Sequence, residues 1–141
     1  HLLFLSYFLK KNKSKCDLIY STRRLFGSRV NGKILPIEYF DYKKLLIKNF
    51  IDLNCVLHKK ELYNKEGGFD TNLNRLVDWD LVLKYTNPDR ANAQVKQLNI
   101  ATVNYWRNEE ILSNISVRES WQEAFNIIHN KYVKNQKTKN S

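Results

Sequence analysis

Two spacings of apolar positions alternate along this chain, and the switches between them mark its elements. His1 to Leu9 is apolar on nearly every side, and His1 to Lys10 reads as the end of a buried helix. Asn12 to Lys15 is a polar turn. Asp17 to Ser21 is short, β-branched and aromatic, which predicts a strand. Thr22 to Pro36 scatters Gly27, Gly32 and Pro36 among basic residues, which predicts a loop or an irregular hairpin. Asp41 to Asn49 sets Leu45 and Leu46 among lysines and reads as a short helix. Asn54 to His58 reads as a strand. Lys59 to Glu66 is helical and stops at Gly67. Asp78 to Thr86 is helical and stops at Asn87-Pro88, because proline disfavours helical backbone in the residue before it. Ile100 to Trp106 reads as a strand. Ser116-Val117-Arg118-Glu119 fits a capping box. Behind it Val117, Trp121, Ala124, Ile128 and Tyr132 form the stripe of an amphipathic helix. From Lys131 the chain turns basic and polar and is expected to fray. Strands alternating with helices predict an α/β architecture with a mixed sheet.

Composition narrows the class. The chain has 141 residues, one domain's worth, and 43% of them are hydrophobic, enough for a core. No apolar run reaches the roughly 18 residues that would span a bilayer. The apolar start lacks the basic lead and the cleavage site of a signal peptide. Cys16 and Cys55 lie far apart in apolar surroundings and read as reduced core thiols of a cytoplasmic protein. The formal net charge is +10, with 17 lysines against 7 arginines. Dispersed lysine clusters fit an anionic membrane surface or diphosphate-bearing substrates, and for any single cluster simple solubility is the favoured reading.

The chemistry concentrates in Gly67-Gly68-Phe69-Asp70 and Asp78-Trp79-Asp80-Leu81. One glycine serves as a left-handed helix cap, and a second suggests close approach of backbone to a ligand. Phe69 is expected in the core, and Asp70 is expected to hydrogen-bond within its loop. An acid in a helix's first turn sits in the positive end of the dipole and stays ionised. A carboxylate beside an aromatic plate suits a sugar, whose ring stacks while the acid takes a hydroxyl proton. Asp78 therefore reads as a general base or as the cap of its helix, and Trp79 as a stacking plate or a core residue. Asp80 lies roughly 200° round the helix from Asp78, cannot face the same point, and is expected to bind backbone or a basic partner.

These motifs carry a family resemblance. Asn49-Phe50-Ile51, Cys55-Val56-Leu57, His58-Lys59-Lys60-Glu61-Leu62, Gly67-Gly68-Phe69-Asp70 and Val77-Asp78-Trp79-Asp80-Leu81-Val82-Leu83-Lys84-Tyr85 follow one another as in family 2 glycosyltransferases, the inverting enzymes of the GT-A fold. Cys16 to Ser21 resembles the strand after that family's metal-binding motif. Asn104-Tyr105-Trp106-Arg107 and Ser113 to Ser116 resemble its closing strand and polar turn. The resemblance spans roughly residues 1–118, with 119–141 as a C-terminal helix and basic tail. It implies the C-terminal half of the catalytic domain, a partial GT-A (Rossmann-like) mixed sheet flanked by helices. The N-terminal nucleotide-binding half, with the Asp-x-Asp that grips a divalent Mn or Mg ion, would lie outside this chain.

The implied activity is inverting transfer of a sugar from a nucleotide-sugar donor to a glycan or lipid-linked acceptor. The implied setting is bacterial surface polysaccharide assembly, in the cytoplasm at the inner face of the plasma membrane. Asp78 matches the catalytic base. Gly67, Gly68 and Trp79 fall near the sugars, and Arg107 near the diphosphate. Two positions depart from the pattern. Val77 stands where the family usually has an acid, and no histidine follows Arg107 within about twenty residues. Two rival readings use other features: a non-catalytic, sugar-binding remnant, and a basic nucleic-acid-binding module using Tyr39, Phe40, Tyr42 and Phe50. The latter is disfavoured because the basic residues do not fall along one helix face.

Overall fold

The structure is a computed structural model describing residues 1–11, 15–27, 30–107 and 121–134. Its centre is a long strand, β1 (Leu18–Gly27). One side of β1 is taken up by β4 (Val95–Arg107), which runs parallel to it from Leu18 to Gly27. The other side is shared. A short strand, β3 (Val56–His58), pairs antiparallel with Leu18–Tyr20, and β2 (Val30–Ile34) pairs antiparallel with Arg24–Gly27. The result is a mixed four-stranded sheet flanked by helices, the α/β architecture expected.

Leu18 to Thr22 are all buried, as suits a central strand covered on both faces. Neighbouring residues on a strand point to opposite faces, and here they feed different cores. Leu18 and Tyr20 join the main cluster with Leu45, Trp79, Leu83 and Ile128. Ile19 joins a smaller one with Leu5 and Cys16.

Beyond Ser21 the chain does not loop out but continues as strand to Gly27. Two arginines and a glycine make this stretch look irregular locally, yet β4 and β2 supply its ladder from elsewhere in the chain. The expected irregular hairpin is β1 and β2 with a bulge. Leu25 pairs with Lys33 and Phe26 with Asn31, so Gly32 is the extra residue, and its φ of 73° suits glycine.

Helix α1 (Leu2–Lys11) lies over the smaller core, and α2 (Tyr42–Ile47) over the main one. Asp41 caps α2 by accepting from the backbone N–H of Lys43 at 2.8 Å and of Lys44 at 3.3 Å. A 3-10 turn (Leu53–Cys55) leads into β3, and α3 (Lys60–Glu66) ends at Gly67 as expected. Helix α4 (Val77–Thr86) is buried at every position from Trp79 to Thr86. A helix enclosed on all sides needs no amphipathic stripe. Helix α5 (Trp121–His129) runs on into a π-helical turn, Asn130–Lys134.

Three expectations change. α1 is not buried on every side: only Leu5 is fully enclosed, while Leu2, Leu3 and Tyr7 are 63%, 88% and 59% exposed. One layer of sheet covers one helix face and leaves the other open. Asn130–Lys134 does not fray, because Lys131 and Tyr132 are anchored on α4. Phe69 is 51% exposed rather than in the core. The polar turn at 12–14, the capping box at 116–119 and the tail beyond 134 lie outside the described residues. Both cysteines are buried and free, and burial pushes the Cys55 thiol up to about 11. Among the described residues no helix is long and apolar enough to cross a membrane.

Candidate functional site

The site gathers at the N-terminus of α4. Leu76, just before it, is left-handed at φ 57° and ψ 23° and offers no side-chain cap. A bulky L-residue there is a strained outlier, of the kind that clusters at functional sites. Asp78 is the second helical residue, so the cap reading fails: the capping position belongs to Leu76. Asp78 instead stands half-buried in the positive field of the first turn.

Its hydrogen-bond partner among the described residues is Asn49, whose Nδ2 donates to Asp78 Oδ2 at 3.2 Å. The Asn49 amide is oriented from its other end, because Oδ1 accepts the Ile51 backbone N–H at 3.2 Å and Ile51 is buried. Sequence reading placed Asn49 in the family pattern and gave it no role. Its role depends on two segments 29 residues apart meeting, which no local signal contains.

Asn49 also lines a cavity of about 250 Å³ beside Tyr20, Ser21, Arg23, Glu38 and Asp52. Asn49 is thus the link between the cavity wall and the carboxylate. The cavity carries two ion pairs on its wall. Arg23 meets Asp52 at 2.6 Å and lies 5.5 Å over the Tyr105 ring, and Lys48 meets Glu38 at 3.0 Å. Arg23 Nε is buried and has no hydrogen-bond partner among the described residues. Such a wall carries both donors and acceptors, with the Lys48–Glu38 pair at the surface.

Asp80 has the opposite surroundings. It is 0% exposed, and its Oδ1 accepts from Lys131 Nζ at 2.7 Å and from the Tyr132 hydroxyl at 2.8 Å. Its Oδ2 is buried without a hydrogen-bond partner among the described residues. The basic partner expected for Asp80 is therefore Lys131. The same ammonium reaches Asp70 Oδ2 at 3.0 Å, so one cation ties the glycine loop, α4 and the C-terminal turn together. Burial opposes the Lys131 charge, but the hydrogen bonds it donates to Asp80 and Asp70 outweigh it and raise its pKa. Asp70 also accepts from the Asn72 backbone N–H at 3.0 Å, the loop hydrogen bond expected. That bond first, and Lys131 second, hold its carboxyl below the ordinary range.

Trp79 is not a stacking plate. It is 2% exposed, its Nε1 donates to the Leu45 carbonyl at 2.7 Å, and Phe125 packs against it at 5.7 Å. One turn position over, the helix points it into the core.

The glycine pair is held by protein groups. Gly67 ends α3 at φ 77° and ψ 179°, a region open essentially to glycine alone, though not the left-handed helical cap expected. Its carbonyl accepts from the Tyr85 hydroxyl at 3.0 Å, and the Gly68 carbonyl accepts from Lys84. A Cβ on Gly68 would sit 3.0 Å from the Tyr63 ring. The close approach that a second glycine permits is that of Tyr63. Arg107 ends β4 opposite Gly27, and its side chain lies outside the described residues, as does the diphosphate role expected of it.

Among the described residues no group of three or more His, Cys, Asp or Glu side chains is placed to hold a metal ion. The divalent metal that the resemblance implies finds no ligand set in them. No protein-family model matches the chain, and no curated protein matches it.

Proposed function

We propose that this chain forms the acceptor side of an inverting glycosyl-transfer site with Asp78 as general base. The observation that carries the reading is the Asp78–Asn49 contact: a half-buried carboxylate at a helix N-terminus, held by a neutral amide that also lines the cavity. A base must be ionised, fixed in direction and free of a competing cation. Asn49 orients Asp78 without neutralising it, whereas Lys131 pairs with Asp80 on the other side of the helix.

In this reading an acceptor hydroxyl enters beside Asp78. Its oxygen forms a bond to the anomeric carbon of the donor sugar from the face opposite the leaving group. The bond from that carbon to the nucleotide diphosphate breaks, and the hydroxyl proton passes to the Asp78 carboxylate. One displacement inverts the anomeric configuration. Base catalysis contributes roughly 10²–10⁴-fold, and the fixed cavity wall adds positioning. Glycan and lipid-linked acceptors both present such a hydroxyl.

The test is Asp78→Asn in the intact gene product, assayed over a panel of nucleotide-sugars with the product anomer assigned by NMR. The expected result is transfer with inversion by the parent and loss of turnover in the variant, with nucleotide-sugar binding kept. Asn49 can donate to the variant amide as it does to the acid, so the local geometry survives. A variant that turns over like the parent overturns the assignment.

A further inference from the structure

Helix α1 presents an apolar face that no described part of the chain covers. Leu5, Phe8 and Leu9 pack inward against Cys16, Ile19, Leu57 and Leu98. On the outward side lie Leu3 and Tyr7 at the N-terminal end and Lys10 and Lys11 at the C-terminal end, with Leu2 and Phe4 on the flanks and exposed as well. Lys11 lies 5.9 Å over the Tyr7 ring. No acid occurs between His1 and Cys16. The charge continues past the helix: Lys15 and Lys60 are exposed, and Lys10, Lys59 and Lys60 border a wide depression next to Leu9. The acids of that depression are Asp17 and Glu61, and Asp17 is neutralised by Lys59 at 2.8 Å.

We infer that α1 is a docking surface for an anionic lipid bilayer. The face is graded along its axis, apolar at one end and cationic at the other, with an aromatic residue between. That is the composition of a helix lying in a bilayer interface, where leucine and aromatic rings enter the acyl boundary and lysines reach the headgroups. A protein partner fits less well, because protein interfaces are depleted of lysine. The basic border supplies attraction to negative headgroups within a Debye length of the surface. The inference stands apart from the transfer reading, since it uses none of the groups at the head of α4.

The intact gene product is to be sedimented with vesicles of phosphatidylcholine mixed with phosphatidylglycerol, and with vesicles of phosphatidylcholine alone. Binding to the mixed vesicles alone is expected. Lys10→Ala with Lys11→Ala should weaken it about thirtyfold, and Leu3→Ser with Tyr7→Ser should weaken it by about tenfold or more. All four positions are outward-facing, and far-ultraviolet circular dichroism should show unchanged folding. Equal binding to both vesicle types, or binding untouched by either double variant, overturns the inference. So does a dimer that Leu3→Ser with Tyr7→Ser dissociates, which would make α1 the seat of a second copy.

Discussion

Two acids stand two residues apart on α4 and live in different media. Asp80 is enclosed, tied to Lys131 and Tyr132, and its second oxygen has no partner among the described residues. Asp78 is half-buried and held by one neutral amide. A buried carboxylate bound to an ammonium has its charge committed to the fold. A carboxylate at a helix N-terminus, oriented but not neutralised, keeps its charge available. The contrast teaches that helix phase, more than residue type, separates a structural acid from a candidate base.

The contrast can be broken at either end. The largest expected effect is on Asp78: Asp78→Asn should cost about 10²–10⁴-fold in turnover with folding stability almost unchanged. Urea unfolding and steady-state kinetics on the same sample would separate the two. Lys131→Met should do the reverse and lower stability by about 3 kcal/mol, because it strands the Asp80 charge in the core. A Lys131→Met protein as stable as its parent would mean that Asp80 is not held as described.

Asn49→Ala comes next. It removes one hydrogen bond to a charged group, worth about tenfold, and should lower kcat with little change in KM. An equal rise in KM would make Asn49 a binding residue instead.

The smallest effect is a pH dependence. The Asp70 carboxyl is held below its ordinary 3.8, so its contribution is present above that pH and lost as pH falls through the folded value. Lys131 is raised above 10.5, so its contribution is present below that pH and lost as pH rises through the folded value. Thermal unfolding should show a plateau between these limits. In Lys131→Met the acid-side loss should shrink but persist, since the Asn72 backbone N–H still favours the Asp70 anion.

What the sequence made legible was local. The stop at Asn87-Pro88 and the phase of α4 were readable, and from them the need for a separate partner for Asp80. The partner's identity was not, because Lys131 lies 51 residues further on in a stretch that looks like a basic tail. Helix α1 misled in a similar way. A run apolar on nearly every side implies enclosure, but whether a second layer exists to enclose it is a property of the whole fold. Trp79 kept both of its readings until Leu45 supplied a carbonyl for its indole N–H. The second half of β1 was hidden for the same reason, since its hydrogen-bonding partners come from β2 and from the distant β4.

The place of β1 at the middle of the sheet sets the order in which the molecule can assemble. Its parallel neighbour arrives late: Gln94, at the start of that pairing, donates to Asp17, 77 residues earlier. Closing so long a loop costs entropy before any ladder bond compensates for it. During vectorial synthesis the early hairpin must therefore wait at the ribosome with one side open. Asp80 waits longer still for its lysine. A chain halted before β4 would carry both an unpaired strand edge and an unneutralised core acid, a natural target for chaperones and proteases.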